Sequence, residues 1–87
     1  MELATAFEEA SKLVHTLKER PSNDILLTLY ALHKQASSGD AHDNKPPIFD
    51  FIATAKYNAW LSKKGLSTEE AQKEYIDLVK KLLDEQS

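Results

Sequence analysis

The sequence predicts an all-α protein, a bundle of four helices, on three observations. Apolar residues recur at three- and four-residue steps in four separate stretches, and no stretch alternates with the two-residue period of a strand. Three of the stretches open on a serine or aspartate suited to capping a helix. The breaks between them hold Pro21, Gly39, the Pro46-Pro47 pair and Gly65. With 87 residues and 41% hydrophobic content, residues 1–87 are expected to form a single domain. A chain of this size buries only about 60% of its unfolded surface, so every apolar helix face is needed.

The first stripe runs Leu3, Phe7, Ala10, Val14 and Leu17, with Glu8, Glu9 and Lys12 turned to water, and Pro21 is expected to stop it. Ser22 can cap the second helix, with Asp24 favourably placed in its first turn. That helix is expected to run to about Ala36 and to bury Leu26, Leu29 and Tyr30 or Leu27. Residues Ser37 to Phe49 show no period and carry Gly39, two aspartates, Asn44 and two prolines. Helix-to-helix links usually take about 2–8 residues, so this one is long enough to run back along a helix and set the next one parallel to its predecessor. Asp50 can cap the third helix, which carries Phe51, Ile52, Ala55, Ala59 and Trp60 and ends before Gly65 as its expected C′ residue. Ser67 and Glu70 form a capping box for the fourth, whose stripe is Ala71, Tyr75, Leu78 and Leu82 with Val79 beside it.

Composition excludes several classes of function. Without cysteine there is no disulfide framework, thiolate metal site or cysteine nucleophile, and a reducing compartment is expected. A net charge of −3 disfavours bulk nucleic-acid binding, which needs a broad basic footprint. The acidic start of the chain does not read as a secretory signal, and no run approaches the roughly 18 apolar residues of a membrane span. The expectation is a soluble protein that holds any anionic ligand through local lysines.

The segment Tyr30 to Asp40 is the most informative. On a helix Tyr30 and Lys34 stand at i and i+4 and share a face, with His33 beside them. An aromatic surface next to a cation suits a flat, phosphorylated ligand such as a nucleotide. The competing reading is a surface lysine beside a half-buried tyrosine. In the loop, His42 with Asp40 and Asp43 offers poor geometry for a metal, and no metal is expected there.

The motif Tyr-x-x-x-Lys-Gln-Ala-x-x-Gly-Asp (Tyr30 to Asp40), followed by Ala-Lys-x-x-Ala-Trp (Ala55 to Trp60), is specific. With Phe7, Ala10, Lys18, Pro21-Ser22, Leu27, Pro46, Asp50-Phe51, Lys64-Gly65, Ser67, Ala71, Tyr75-Ile76 and Val79, it makes the chain resemble the acyl-CoA-binding protein family along nearly its whole length. The resemblance implies an up-down-down-up four-helix bundle that binds medium- to long-chain acyl-CoA thioesters one to one. It implies a monomeric cytoplasmic carrier and pool former in lipid metabolism, neither enzyme nor nucleic-acid binder, without stable membrane insertion. Its ligand is the acyl-CoA, it needs no cofactor, and acyl-CoA-using enzymes are its partners.

By the same resemblance Tyr30, Lys34 and Lys56 bind the phosphate-bearing end of coenzyme A, and Tyr75 also contacts the head group. His33 stands where the family commonly has tyrosine, and His15 where it often has lysine; both are candidate head-group residues. His15 thereby gives up a standing positive charge at neutral pH. Leu26, Leu27, Ile52 and Ala55 are candidates for the acyl groove, with plain core packing as the alternative for each. Tyr57 replaces the usual tryptophan in a packing role, and Trp60 is expected to anchor the core. A thioesterase would need an activated nucleophile, and no serine sits in a nucleophile-elbow pattern. A helical interaction or signalling protein acting through protein partners remains the alternative function.

Overall fold

The computed structural model describes residues 2–42 and 45–86. It comprises α1 (Leu3–Leu13), a single 3-10 turn (Val14–Thr16), α2 (Asn23–Ser38), α3 (Phe51–Leu61) and α4 (Thr68–Glu85). There is no strand among the described residues. The expected caps are in place: Ser22 Oγ accepts the Ile25 amide and Asp50 Oδ1 accepts the Ala53 amide. Ser67 and Glu70 exchange side-chain and backbone hydrogen bonds, both at 3.0 Å, in a complete capping box.

Side-chain pairings give the direction of each helix. Phe7, early in α1, meets Tyr75 in the first half of α4, while the amides of Lys18 and Glu19, past the end of α1, donate to Gln86 Oε1 at the end of α4. The two helices therefore run the same way. Late in α2, His33 lies against Tyr75 and Gln35 donates to the Leu66 carbonyl just before α4, so α2 runs opposite to α4. Between α2 and α3, Lys56 sits over Tyr30 and Lys34 over Trp60, so the pairing advances in step and the helices are parallel. The order is up-down-down-up, and the long connection between α2 and α3 is what parallel neighbours require.

The core lies where α1 and α2 close on α4: Phe7, Ala10, Leu29, Leu32, Ala36, Ala71, Tyr75, Ile76, Val79 and Leu82 are all buried there. Phe7, His33 and Tyr75 form a mutual ring cluster with centroids 5.0–5.6 Å apart. Gln35 is a buried polar residue, 1% exposed. Its Nε2 donates to Asp40 Oδ1 (2.8 Å) and to the Leu66 carbonyl (3.0 Å), and the same Asp40 oxygen accepts the Gly65 amide (2.9 Å). The Gly65 amide first, then the Gln35 amide, with Lys64 also nearby, hold the Asp40 carboxyl below the ordinary carboxylate range. Trp60, 2% exposed, donates its indole N–H to the Gly39 carbonyl at 2.8 Å. These bonds tie the end of α2 to the α3–α4 turn, and Trp60 is the core anchor expected of it. Tyr57, half-buried, packs edge-on to Trp60.

Several local expectations are corrected. The first helix ends well before Pro21: Leu17 is extended (ψ 132°), and Gln86 satisfies the following backbone, taking the Lys18 and Glu19 amides and donating to the Glu19 carbonyl. A partner from the far end of the chain replaces the intrahelical bonds. α2 runs two residues beyond Ala36, and its buried face is Leu29, Leu32 and Ala36 with Ala31 and Gln35. Leu26, Leu27 and Tyr30 are only partly buried, because α2 is apolar on two faces and one of them lines a groove. α3 stops at Leu61, and Gly65, at φ +96°, closes the turn that follows instead of directly ending the helix. On α4 Ile76 is buried and Leu78 only half-buried. Phe51 and Ile52 are 78% and 73% exposed at the open start of α3.

Candidate functional site

Two adjoining cavities follow the seam between α2, α3 and α4. The first, about 300 Å³, is lined by Val14, His15, Leu26, Leu29, Tyr30, His33, Lys34 and Tyr75. The second, about 450 Å³, is lined by Arg20, Asn23, Leu26, Leu27, Tyr30, Phe51, Ile52, Ala55 and Lys56. Leu26 and Tyr30 border both, so the cavities form one continuous trough. All ten residues singled out from the sequence line it. His15, His33, Lys34 and Tyr75 gather at one end, Leu27, Ile52, Ala55 and Lys56 lie along the other, and Tyr30 and Leu26 stand between.

The division follows from helix geometry. Tyr30, His33 and Lys34 fall on one turn of α2, and the parallel α3 brings Lys56 level with Tyr30 and Trp60 level with Lys34. From Tyr30 back to Asn23 the apolar trough descends α2 by seven residues, about 10 Å at 1.5 Å per residue.

Both ammonium groups rest on aromatic faces: Lys34 Nζ lies 4.6 Å from the Trp60 ring centroid and Lys56 Nζ 5.4 Å from that of Tyr30. Such contacts position a cation without using its N–H donors. Burial pushes the Tyr75 phenol above its ordinary range, so it stays neutral and able to donate at neutral pH. His33 is half-buried against Phe7 and Tyr75, with Ser37 Oγ 3.4 Å from its Nδ1, whereas His15 is exposed at the rim. Both cavities are walled mainly by hydrocarbon; the first adds Lys34, ring faces and hydroxyl or imidazole donors, and the second is bordered by Lys56, Arg20 and Asn23. The arrangement fits an anionic, flat head carrying a hydrocarbon tail.

Sequence reasoning missed Val14, Leu29, Arg20, Asn23 and Phe51 as lining residues. Val14 and Leu29 belong to stripes that read as core. Arg20 and Asn23, joined by an Nη1–Oδ1 hydrogen bond of 3.2 Å, flank the Pro21-Ser22 break and carry no signal of a groove end. In the loop, the His42 ring nitrogen Nδ1 is 2.8 Å from the Asp40 carbonyl, and the ring packs edge-on to Trp60. No group of three metal-ligating side chains occurs among the described residues, and Asp43 lies outside them.

A family model described as acyl CoA binding protein matches residues 4–79. The chain is 48% identical over 81 residues to the Caenorhabditis elegans acyl-CoA-binding protein homolog 1, covering 93% of this chain and 94% of that one. It is 51% identical over 77 residues to the acyl-CoA-binding protein of Saccharomyces cerevisiae, covering 88% of each. The crystal structure of Oryza sativa acyl-CoA-binding protein 2 superposes with a TM-score of 0.93 at 40% identity, covering 97% of this chain and 93% of that one.

Proposed function

The chain belongs to the acyl-CoA-binding protein family, and from that premise we propose that it binds medium- to long-chain acyl-CoA thioesters one to one and carries them in the cytoplasm as a monomer. The observation that supports this reading most directly is the trough itself, where Lys34, Lys56, His33 and Tyr75 border the same adjoining cavities as Leu26, Leu27, Ile52 and Ala55, with Tyr30 and Leu26 at the junction.

Lys34 and Lys56 donate to the phosphate oxygens of coenzyme A, each leaving an aromatic face for a charge-assisted hydrogen bond. Tyr75 donates its phenol, Tyr30 and His33 offer ring faces to the adenine, and His15 adds an imidazole N–H donor at the rim. Base-on-aromatic stacking contributes roughly 1–3 kcal/mol. Leu26, Leu27, Ile52 and Ala55 shelter the acyl chain, at about 0.8 kcal/mol for each buried methylene. Two or three head-group contacts and part of a chain therefore suffice for micromolar binding or better, which corresponds to about 8 kcal/mol.

The ligand leaves unchanged. No serine of the chain sits in the nucleophile-elbow pattern that a thioesterase of that kind uses. The carrier needs no cofactor or metal, and acyl-CoA-using enzymes receive its cargo. Titration calorimetry with palmitoyl-CoA, free CoA and palmitate tests the reading. One-to-one binding of the thioester, far tighter than either fragment, is expected, with no thiol released on standing. Absence of thioester binding overturns it, and steady thiol release makes the protein a hydrolase.

A further inference from the structure

The far end of the trough carries more charge than a hydrocarbon tail explains. The second cavity descends α2 from Tyr30 to Asn23, with Lys56 level with Tyr30 at its upper end. With the phosphates held at Lys34 and Lys56, the last carbons of an acyl chain come to lie at the lower end. Leu26, Leu27, Ile52 and Ala55 suit those carbons, yet Arg20 and Asn23 border the cavity where the chain finishes, and no aspartate or glutamate lines it. A methyl terminus makes no use of a guanidinium or a side-chain amide, whose donors are better left in water.

The pair is held in place from both sides. Before it, the Lys18 and Glu19 amides donate to Gln86 Oε1 and the Glu19 carbonyl accepts from Gln86 Nε2. After it, Ser22 caps α2 by accepting the Ile25 amide. Within it, Arg20 Nη1 donates to Asn23 Oδ1 at 3.2 Å. That bond uses one guanidinium N–H and leaves the rest of the fork, and the Asn23 side-chain NH2, as donors. No carboxylate pairs with Arg20 among the described residues. A planar fork of donors beside an amide NH2 matches the two oxygens of a carboxylate.

We propose that Arg20 and Asn23 recognise an anionic far end on the acyl chain, so that the protein selects ω-carboxyl acyl-CoA thioesters, the mono-CoA esters of long-chain dicarboxylic acids, over plain acyl-CoA of the same length. The orientation of the ligand rests on the carrier reading. The stretch from Tyr30 to Asn23, about 10 Å along α2, sets a length for the match. A shorter diacid ester strands its carboxylate among Leu26, Leu27 and Ile52, where burying a charge without a partner is costly. One of matching length brings it to the guanidinium.

The test is calorimetric titration with paired esters of equal chain length, one plain and one ω-carboxyl, from decanoyl and decanedioyl to hexadecanoyl and hexadecanedioyl. The wild type is expected to favour the plain ester at the short end of the series and the ω-carboxyl ester, by about fivefold or more, at the matching length. Arg20→Gln is expected to favour the plain ester at every length. Arg20→Lys, which keeps the charge without the fork, is expected to retain part of the preference. Added salt is expected to shrink it. A wild type that favours the plain ester throughout overturns the proposal and leaves the carrier reading intact. So does an Arg20→Gln variant that keeps the wild-type preference. So, too, does one that weakens free CoA as much as the diacid ester, which would put Arg20 on a phosphate. Failure of the wild type to bind any of the esters would overturn the carrier reading and this selectivity together.

Discussion

Replacing Lys34 or Lys56 by alanine separates ligand binding from folding. Each ammonium lies over a ring, at 4.6 Å for Lys34 on Trp60 and 5.4 Å for Lys56 on Tyr30. A cation–π contact at a site open to water is worth about 0.5–1 kcal/mol. Its loss is therefore expected to lower Tm by no more than roughly 8 °C in a domain this small. The same ammonium bound to a phosphate oxygen makes a charge-assisted hydrogen bond of about 1.5–3 kcal/mol. At about 1.4 kcal/mol per decade, each variant is expected to bind palmitoyl-CoA about ten- to a hundredfold more weakly. Free CoA is expected to lose a similar factor, since the head group is what the lysine touches. Leu27→Ala, which trims an apolar wall of the second cavity and no head-group contact, is expected to weaken the thioester and leave free CoA unchanged. Calorimetric titration gives the affinities and differential scanning calorimetry the Tm. Two folded lysine variants that both bind palmitoyl-CoA within twofold of the wild type would refute the reasoning.

Gln35→Leu, which forfeits two hydrogen bonds of a buried side chain, is expected to cost roughly 2 kcal/mol in urea unfolding. Ser67→Ala breaks the capping box of α4 and is expected to cost about 1 kcal/mol by the same assay. The Asp40 and Glu70 carboxyls are held below their ordinary range, Asp40 by the Gly65 and Gln35 amides and Glu70 by Ser67. Their lowered pKa values stabilise the fold above the ordinary carboxylate range and cease to do so as pH falls through it into the folded-state values. Acid titration by circular dichroism is therefore expected to show the wild type losing stability below about pH 4, with a shallower loss for Asp40→Asn.

What could be read from the sequence was local or had a long signature. Ser22, Asp50 and Ser67 cap their helices because a short side-chain oxygen before an apolar stripe serves the same purpose in any context. The length of the connection before Asp50 foretold that α2 and α3 run parallel. The ten trough residues came from spacing and resemblance together, and they border one continuous cavity. What could not be read depended on partners distant in sequence. Nothing near Leu17 announces that Gln86 will take its neighbours' amides. Gln35 reads as a surface residue until Asp40 and Leu66 close over it. A groove also looks like a core, because both call for leucine at helical spacing. The sequence therefore could not say that Leu32 belongs to the core alone, that Leu26 and Leu27 line the trough, and that Leu29 does both. The exposure of Ile48 and Phe49 was equally hidden, since an apolar residue in a loop carries no mark of what covers it.

An affinity series over acyl-CoA chain length, with free CoA and free fatty acid as controls, bears most directly on the claim that one trough holds an anionic head and a hydrocarbon tail together. Affinity is expected to climb by about fourfold for each added methylene, at 0.8 kcal/mol apiece, and then to level off once the roughly 10 Å apolar stretch alongside α2 is filled. Free CoA is expected to bind far more weakly than the thioesters, and free fatty acid more weakly still. Affinity independent of chain length, or a fatty acid that binds as tightly as its CoA ester, would contradict it.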